Sequence, residues 1–345
     1  MSTITPEGYK ATMDVCKTEQ AIKFTKDHFQ NALARRLGLD RITAPLFVRC
    51  DSGVQDNLNG VERAISFGVK ADGDTRCEIV HSLAKWKRLA LHRYEFEVGR
   101  GIYTDMNALR PDEEDLDNIH SVYVDQWDWE RVITPEDRNL DTLKATVRDI
   151  YAALKDTEAE LADKFHNRTT WLPDEIAFVH TEELAFNYPD STRQQREAAV
   201  AETHGAVFII GIGGEMPNGE IHDGRAPDYD DWTTPTSDGT KGLNGDIFVW
   251  HPLLKIPFEL SSMGIRVNAE TMLKQLEIRD CMDRVELPWH KMLLEGKLPQ
   301  SIGGGIGQSR LCMLLLEKAH IGEVQVSHWP RHVVETCRQA GIPLL

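Results

Sequence analysis

Apolar residues recur at spacings of four and seven through residues 18–38, at Ile22, Phe29, Leu33 and Leu37, which predicts an amphipathic helix closed by Gly38. The chain then turns extended at Ile42, Pro45 and Phe47. A second stripe, Leu143, Val147, Ile150, Leu154 and Leu161, predicts a helix over about 140–165. Between the two, residues 121–130 form a β-branched and aromatic run that reads as a strand. Alternation puts Val122, Val124, Gln126, Asp128 and Glu130 on one face and Tyr123, Asp125, Trp127 and Trp129 on the other. The aromatic face reads as core. The opposite face presents Gln126 and Asp128, either as receivers of a small ligand or as the solvated side of an edge strand. Further strands are expected at 205–211, 246–250, 257–267 and 300–305, the middle two joined as a hairpin around His251 and Pro252. Strands that follow one another without helices between them indicate an α+β fold, a mostly antiparallel sheet with helices packed on one side. No linker or repeat divides the sequence, so a single domain over 1–345 is expected.

Charge narrows the function. With 39 Lys+Arg against 55 Asp+Glu the net charge is −16, which argues against a nucleic-acid surface. No apolar run approaches the roughly 20 residues a membrane helix needs, and the first residues lack a secretory apolar core. The cysteines Cys16, Cys50, Cys77, Cys281, Cys312 and Cys337 are scattered without a C-x-x-C pair, as in reduced, cytoplasmic proteins. His328 and His332 flank Pro330, which breaks the helix that would align them on zinc.

Two glycine clusters bear on phosphate binding. Gly211, Gly213 and Gly214 follow a strand, but Met216 stands where a dinucleotide fingerprint needs its third glycine, and Pro217-Asn218-Gly219 signals a turn. A sheet turn is the expectation there. The second cluster, Gly303-Gly304-Gly305-Ile306-Gly307-Gln308-Ser309-Arg310, leads into an apolar helix at Leu311, Leu314 and Leu315. Glycines along a strand let a flat ring approach the backbone, and Arg310 in the first helical turn can clamp a phosphate. Close packing beside a surface charge is the competing account.

These segments together resemble class II aminoacyl-tRNA synthetases. Leu37-Gly38 through Pro45-Leu46 is similar to their first motif, a dimer-forming helix and strand. Leu109-Arg110-Pro111-Asp112 with the following strand is similar to the second, and 303–310 to the third. A resemblance over nearly the whole chain is to the ammonia-dependent asparagine synthetases, the aspartate–ammonia ligase family. It is carried by Gln55-Asp56-Asn57-Leu58, His81-Ser82-Leu83-Ala84-Lys85-Trp86-Lys87-Arg88, 121–130, Ala226-Pro227-Asp228-Tyr229-Asp230-Asp231-Trp232, Gly242-Leu243-Asn244-Gly245-Asp246 and Phe258-Glu259-Leu260-Ser261-Ser262-Met263-Gly264-Ile265-Arg266.

The resemblance implies a synthetase-like catalytic domain without an anticodon-binding domain, a homodimer built on 18–47, and ATP and magnesium (Mg2+) as cofactors. The implied reaction joins L-aspartate and ammonia through a β-aspartyl-adenylate, releasing AMP and pyrophosphate. Arg110 is then the candidate for the α-phosphate and Arg310 for the distal phosphates and adenine, with Gly304 and Gly305 bordering the ring and Asp230 near the nucleotide. Asp246 and Glu259 are hard oxygen donors suited to magnesium, or else two exposed strand carboxylates. Lys87 and Arg266 would hold carboxylates, Gln126 and Asp128 the ammonium of aspartate, and Ser82 and Ser262 short polar contacts. Lys87 has the alternative of a solvated helix face shared with Lys85 and Arg88. Asp56 is the candidate to bind ammonium and accept its proton, or an ordinary turn former. Two other functions stay open at this point: aspartyl-tRNA synthetase-like charging of tRNA, and a non-catalytic synthetase-like regulator.

Overall fold

The computed structural model describes residues 3–56, 58, 62–165 and 169–345, so Asn57 lies outside the described residues. In chain order its helices are α1 (Val15–Leu37), α2 (Ala84–Arg93), α3 (Leu140–Phe165), α4 (Thr181–Asn187), α5 (Arg193–His204), α6 (Ala269–Ile278), α7 (Pro288–Leu294), α8 (Gln308–Leu315) and α9 (Arg331–Gln339). Its strands are β1 (Leu39–Arg41), β2 (Phe47–Arg49), β3 (Ser66–Val69), β4 (Thr75–Ile79), β5 (Gly101–Leu109), β6 (Tyr123–Val132), β7 (Ala177–His180), β8 (Ala206–Ile210), β9 (Asn244–His251), β10 (Ile256–Ile265) and β11 (Ser301–Gly307).

Helices α1 and α3 form where the two apolar stripes predict them, and every stripe residue is buried. Asp14 caps α1 by accepting from the Lys17 N–H at 2.8 Å, and Gly38 ends it at φ 69°, a left-handed conformation that glycine adopts without a Cβ clash. The two helices pack on each other and on one face of an eight-stranded sheet, where Trp127 and Trp129 are fully enclosed and Phe29 lies 4.8 Å from Trp127 between ring centroids.

The sheet runs in the order β1-β5-β6-β11-β10-β9-β8-β7. Its interior pairs are antiparallel, as expected, while β1 on β5 and β7 on β8 are parallel edges. The α4–α5 crossover makes the second parallel pair possible, because parallel neighbours need a long return connection. The predicted hairpin joins β9 to β10, with His251 opposite Ile256. Gly211 at φ 86° and Gly213 at φ 100° turn the chain out of β8, and no described helix follows until α6, in keeping with a turn.

Helices on one side only is the expectation that needs correction. Outer strands carry apolar residues on both faces: Ile102 of β5 packs with Ala90 and Leu91 of α2, and Val207 and Ile209 of β8 pack with Val200 and Ala201 of α5. Between these two covers the second face of the sheet stays polar and open. A separate sheet, β2-β4-β3, flanks that opening and leads through residues 50–56 and 80–83 to its wall.

Candidate active site

The polar face of the sheet forms one wall of a cavity of about 610 Å³. Asp56, Ser82, Lys87, Arg110, Gln126, Asp128, Asp230, Glu259, Ser262, Arg266, Gly304, Gly305 and Arg310 all line it. These come from segments up to some 250 residues apart in sequence, brought together by the order of strands β6, β11 and β10. Asp246 alone of the sequence-derived candidates is not on the wall; it lies behind, paired with Arg225.

Period-two alternation on β6 puts Gln126, Asp128 and Glu130 over β11, where they face Gly307, Gly305 and Gly303. The glycines make room for these side chains. A Cβ at Gly303 would stand 2.0 Å from a Glu130 carboxylate oxygen, and one at Gly305 2.5 Å from Gln126 Oε1. Gly304 faces the other way, onto Met263, and meets the cavity through its backbone.

The inner end of the cavity is a closed ionic network. Lys87 of α2 is fully buried; its Nζ donates to the Gly304 carbonyl at 2.7 Å and lies 3.4 Å from Asp128 and 3.9 Å from Glu130. Burial, aided by nearby Arg266, holds its pKa below the ordinary lysine value despite those carboxylates. Lys85 and Arg88 are buried too, on Asp228 at 2.9 Å and on the Pro299 and Val267 carbonyls at 2.7 Å each. The solvated-face alternative for α2 therefore fails.

Arg266 bonds both Glu130 oxygens, with Nε–Oε1 at 2.9 Å and Nη2–Oε2 at 2.8 Å, and its Nη1 bonds Asp230. Burial would push the Glu130 carboxyl up, but Arg266, Lys87 and the Ser301 hydroxyl hold it below its usual value. Glu130 lies on the same face as Gln126 and Asp128, so strand alternation is the signal in the sequence that points to it.

At the outer end the cations are less committed. Arg110 follows β5 and touches the His81 carbonyl at 3.4 Å; its Nε is buried with no hydrogen-bond partner among the described residues. Arg310, in the first turn of α8 as predicted, donates to the Glu259 carbonyl at 2.9 Å, 3.6 Å from the Glu259 carboxylate. Glu259 accepts from Ser262 at 3.2 Å. Arg225 was not foreseen, although it directly precedes the distinctive 226–232 string; its Nη2 bonds Asp246 at 2.5 Å and its Nη1 bonds Ser262 at 3.2 Å. Burial, with the Glu259 charge nearby, pushes Asp246 up to about 6 against the pull of Arg225. Burial would push Glu259 up as well, but Arg310 and Arg225 hold it below its usual value.

Asp56 is 1% exposed, and its carboxylate is fixed by the Leu58 N–H at 2.9 Å and the Ser82 hydroxyl at 2.6 Å. It is thus a turn former whose second oxygen is turned to the wall. The cavity thus offers paired charges of both signs at its closed end and two cations, Arg110 and Arg310, with spare donors at its open end.

A family profile described as aspartate-ammonia ligase matches residues 16–341. An aspartate–ammonia ligase of Clostridium perfringens (strain ATCC 13124) is 57% identical over 340 residues, 99% of this chain and 98% of that one. The enzyme of that name from Levilactobacillus brevis is 52% identical over the whole of both chains. Among solved structures, asparaginyl-tRNA synthetase from Pyrococcus horikoshii, complexed with asparaginyl-adenylate, superposes with a TM-score of 0.66 at 14% identity, over 91% of this chain and 70% of that one. Aspartyl-tRNA synthetase from Entamoeba histolytica gives 0.61 at 14%, over 89% and 58%. The fold is therefore that of class II aminoacyl-tRNA synthetases, and by sequence the chain belongs to the aspartate–ammonia ligase family.

Proposed function

We propose that this chain makes L-asparagine from L-aspartate, ammonia and ATP through a β-aspartyl-adenylate, releasing AMP and pyrophosphate. The observation that carries the reading is that Arg110 and Arg310, far apart in sequence, line one cavity with a buried Lys87–Asp128–Glu130–Arg266 network. A carboxylate attacking an α-phosphate brings two anions together, so fixed cations must stand around the phosphates beforehand. Arg110, with its unpartnered Nε, receives the α-phosphate; Arg310 takes the distal phosphates and adenine, beside the Gly304–Gly305 backbone.

At the closed end Lys87 and Arg266 orient the carboxylates of aspartate, while Gln126 and Asp128 receive its ammonium, and Ser82 and Ser262 add short contacts. Asp230 bonds Arg266, so we place it at this amino-acid end and not with the nucleotide. Of the two carboxylates assigned to magnesium, Glu259 lines the cavity and would hold the ion beside the phosphates, whereas Asp246 is off the wall and bonded to Arg225 at 2.5 Å, so it would join only by exchanging that partner. When bound, the ion neutralises phosphate charge. Asp56 holds the incoming ammonium against the adenylate.

The segment 18–47 is the proposed homodimer surface, supported by exposed Leu46 and Phe47, the latter packed on exposed Phe67 at 5.1 Å. No helix among the described residues is long and apolar enough to cross a membrane. Incubating the protein with ATP, aspartate and ammonium should yield asparagine, AMP and pyrophosphate in equal amounts. ADP and phosphate as products would refute the adenylate route.

A further inference from the structure

We propose that His81 is a catalytic base of the amide-forming step, taking a proton from ammonium through Nε2; this rests on the ligase reading above. His81 lines the cavity and is 1% exposed. Three of its four polar groups are fixed. Its N–H donates to Gln55 Oε1 at 3.1 Å, its carbonyl accepts from Arg110, and its Nδ1 lies 3.2 Å from the Asp56 carbonyl. A carbonyl only accepts, so Nδ1 carries the hydrogen and, in the neutral ring, Nε2 bears the lone pair. That Nε2 is buried and has no hydrogen-bond partner among the described residues. An unsatisfied buried nitrogen is costly to keep, which makes an incoming donor its natural complement.

Its surroundings suit that donor. Asp56, its carboxylate fixed by Leu58 and Ser82, is tied to the ring through its own carbonyl, and Arg110, the proposed α-phosphate residue, bonds the His81 carbonyl. Asp112, on the same loop as Arg110, also feels the ring: its carboxyl is held low chiefly by Arg63 and also by His81. Ammonium has no lone pair and cannot attack a carbonyl. It gives one proton to Nε2, and the freed lone pair forms the C–N bond to the β-carbonyl carbon. The C–O bond to phosphorus-bound oxygen breaks, and its electron pair leaves on AMP. The surplus proton on the new nitrogen passes to Asp56, and both protons are then released to solvent. The imidazolium formed in between keeps its Nδ1–H on the Asp56 carbonyl.

His81→Asn tests this, because the amide keeps an N–H where Nδ1 stood and leaves nothing at Nε2. We expect aspartate-dependent ATP–pyrophosphate exchange within about threefold of the unaltered protein, and asparagine formation from ammonium at neutral pH down about 100-fold. Hydroxylamine is already neutral at that pH, so aspartyl hydroxamate should form within about threefold of normal, and the residual ammonium rate should climb with pH as free ammonia appears. An undiminished asparagine rate would overturn the proposal, and so would equal loss with both nucleophiles. Loss of exchange to the same extent would also overturn it, leaving His81 a positioning residue for Arg110. If His81→Asn is poorly folded by circular dichroism, His81→Gln, with a non-basic amide near Nε2, is read in the same three assays. Unaltered protein that neither exchanges pyrophosphate nor makes asparagine would defeat the ligase reading itself, an outcome distinct from any result on His81.

Discussion

Arg266 at the closed end of the cavity has a side chain 3% exposed and all three guanidinium nitrogens bonded to Glu130 and Asp230. Arg310 at the open end is 22% exposed and gives one nitrogen to the Glu259 main chain. The same residue type thus serves as a fixed template in one region and as an available cation in the other. The difference follows from burial: an inner charge left without a partner is costly, while an outer one can wait for its anion in water. It matches the two ligands proposed. A small amino acid of fixed charge suits a prearranged template, and a polyphosphate that arrives and departs suits cations with spare donors.

Removing one member of the inner network should have the largest effect. Glu130→Ala leaves Arg266 buried and half-paired, so about 3–5 kcal/mol of stability should disappear in urea unfolding. A loss under about 1 kcal/mol would mean the inner end is not locked by charge. At the outer end the damage should fall on chemistry instead. Arg110→Ala and Arg310→Ala should each slow pyrophosphate exchange about 100- to 1,000-fold, with the urea midpoint nearly unchanged. If either unfolds the protein as Glu130→Ala does, the contrast between the two ends is wrong.

Lys87→Met sharpens the comparison within the inner end. It removes the cation proposed to hold an aspartate carboxylate, and a charged hydrogen bond of that kind is worth about 1.5–3 kcal/mol, so KM for aspartate should rise about 10- to 100-fold while KM for ATP holds. Equal rises in both would place Lys87 on the nucleotide. The smallest effect is on pH dependence. Because Glu130 is held below its unfolded pKa, its contribution is fully present above about pH 4.5 and is lost as pH falls through the lower folded value. Stability measured from pH 6 down to 3 should therefore fall less steeply in Glu130→Gln than in the unaltered protein, from a lower start.

Much of this could be read from the chain because it is local. The alternation that buries Trp127 and Trp129 is the same one that aims Gln126 and Asp128 into the cavity, and both ends of α3 follow from its apolar stripe. Arg225 was invisible because its partners, Asp246 and Ser262, lie on strands that only the sheet order brings near. Lys85, Lys87 and Arg88 of α2 read equally well as a wet surface, since the groups that accept their hydrogen bonds at 2.7–2.9 Å are carbonyls and a carboxylate more than 140 residues away. The parallel edges were missed for a similar reason: strand direction at an edge depends on crossovers, which periodicity does not encode.

Those α2 contacts also bear on how the protein acquires its shape. Lys87 needs the Gly304 carbonyl and Arg88 the Pro299 carbonyl, both supplied by the 299–304 stretch that precedes and enters β11. Until that stretch is in place, docking α2 would bury charges without acceptors, so the helix should settle late, although it is made early. Pulse-labelled hydrogen exchange during refolding checks this: α2 amides should gain protection together with β11, and protection of α2 well ahead of β11 would exclude such an order. The cavity that α2 helps to wall would then be among the last parts of the molecule to assemble.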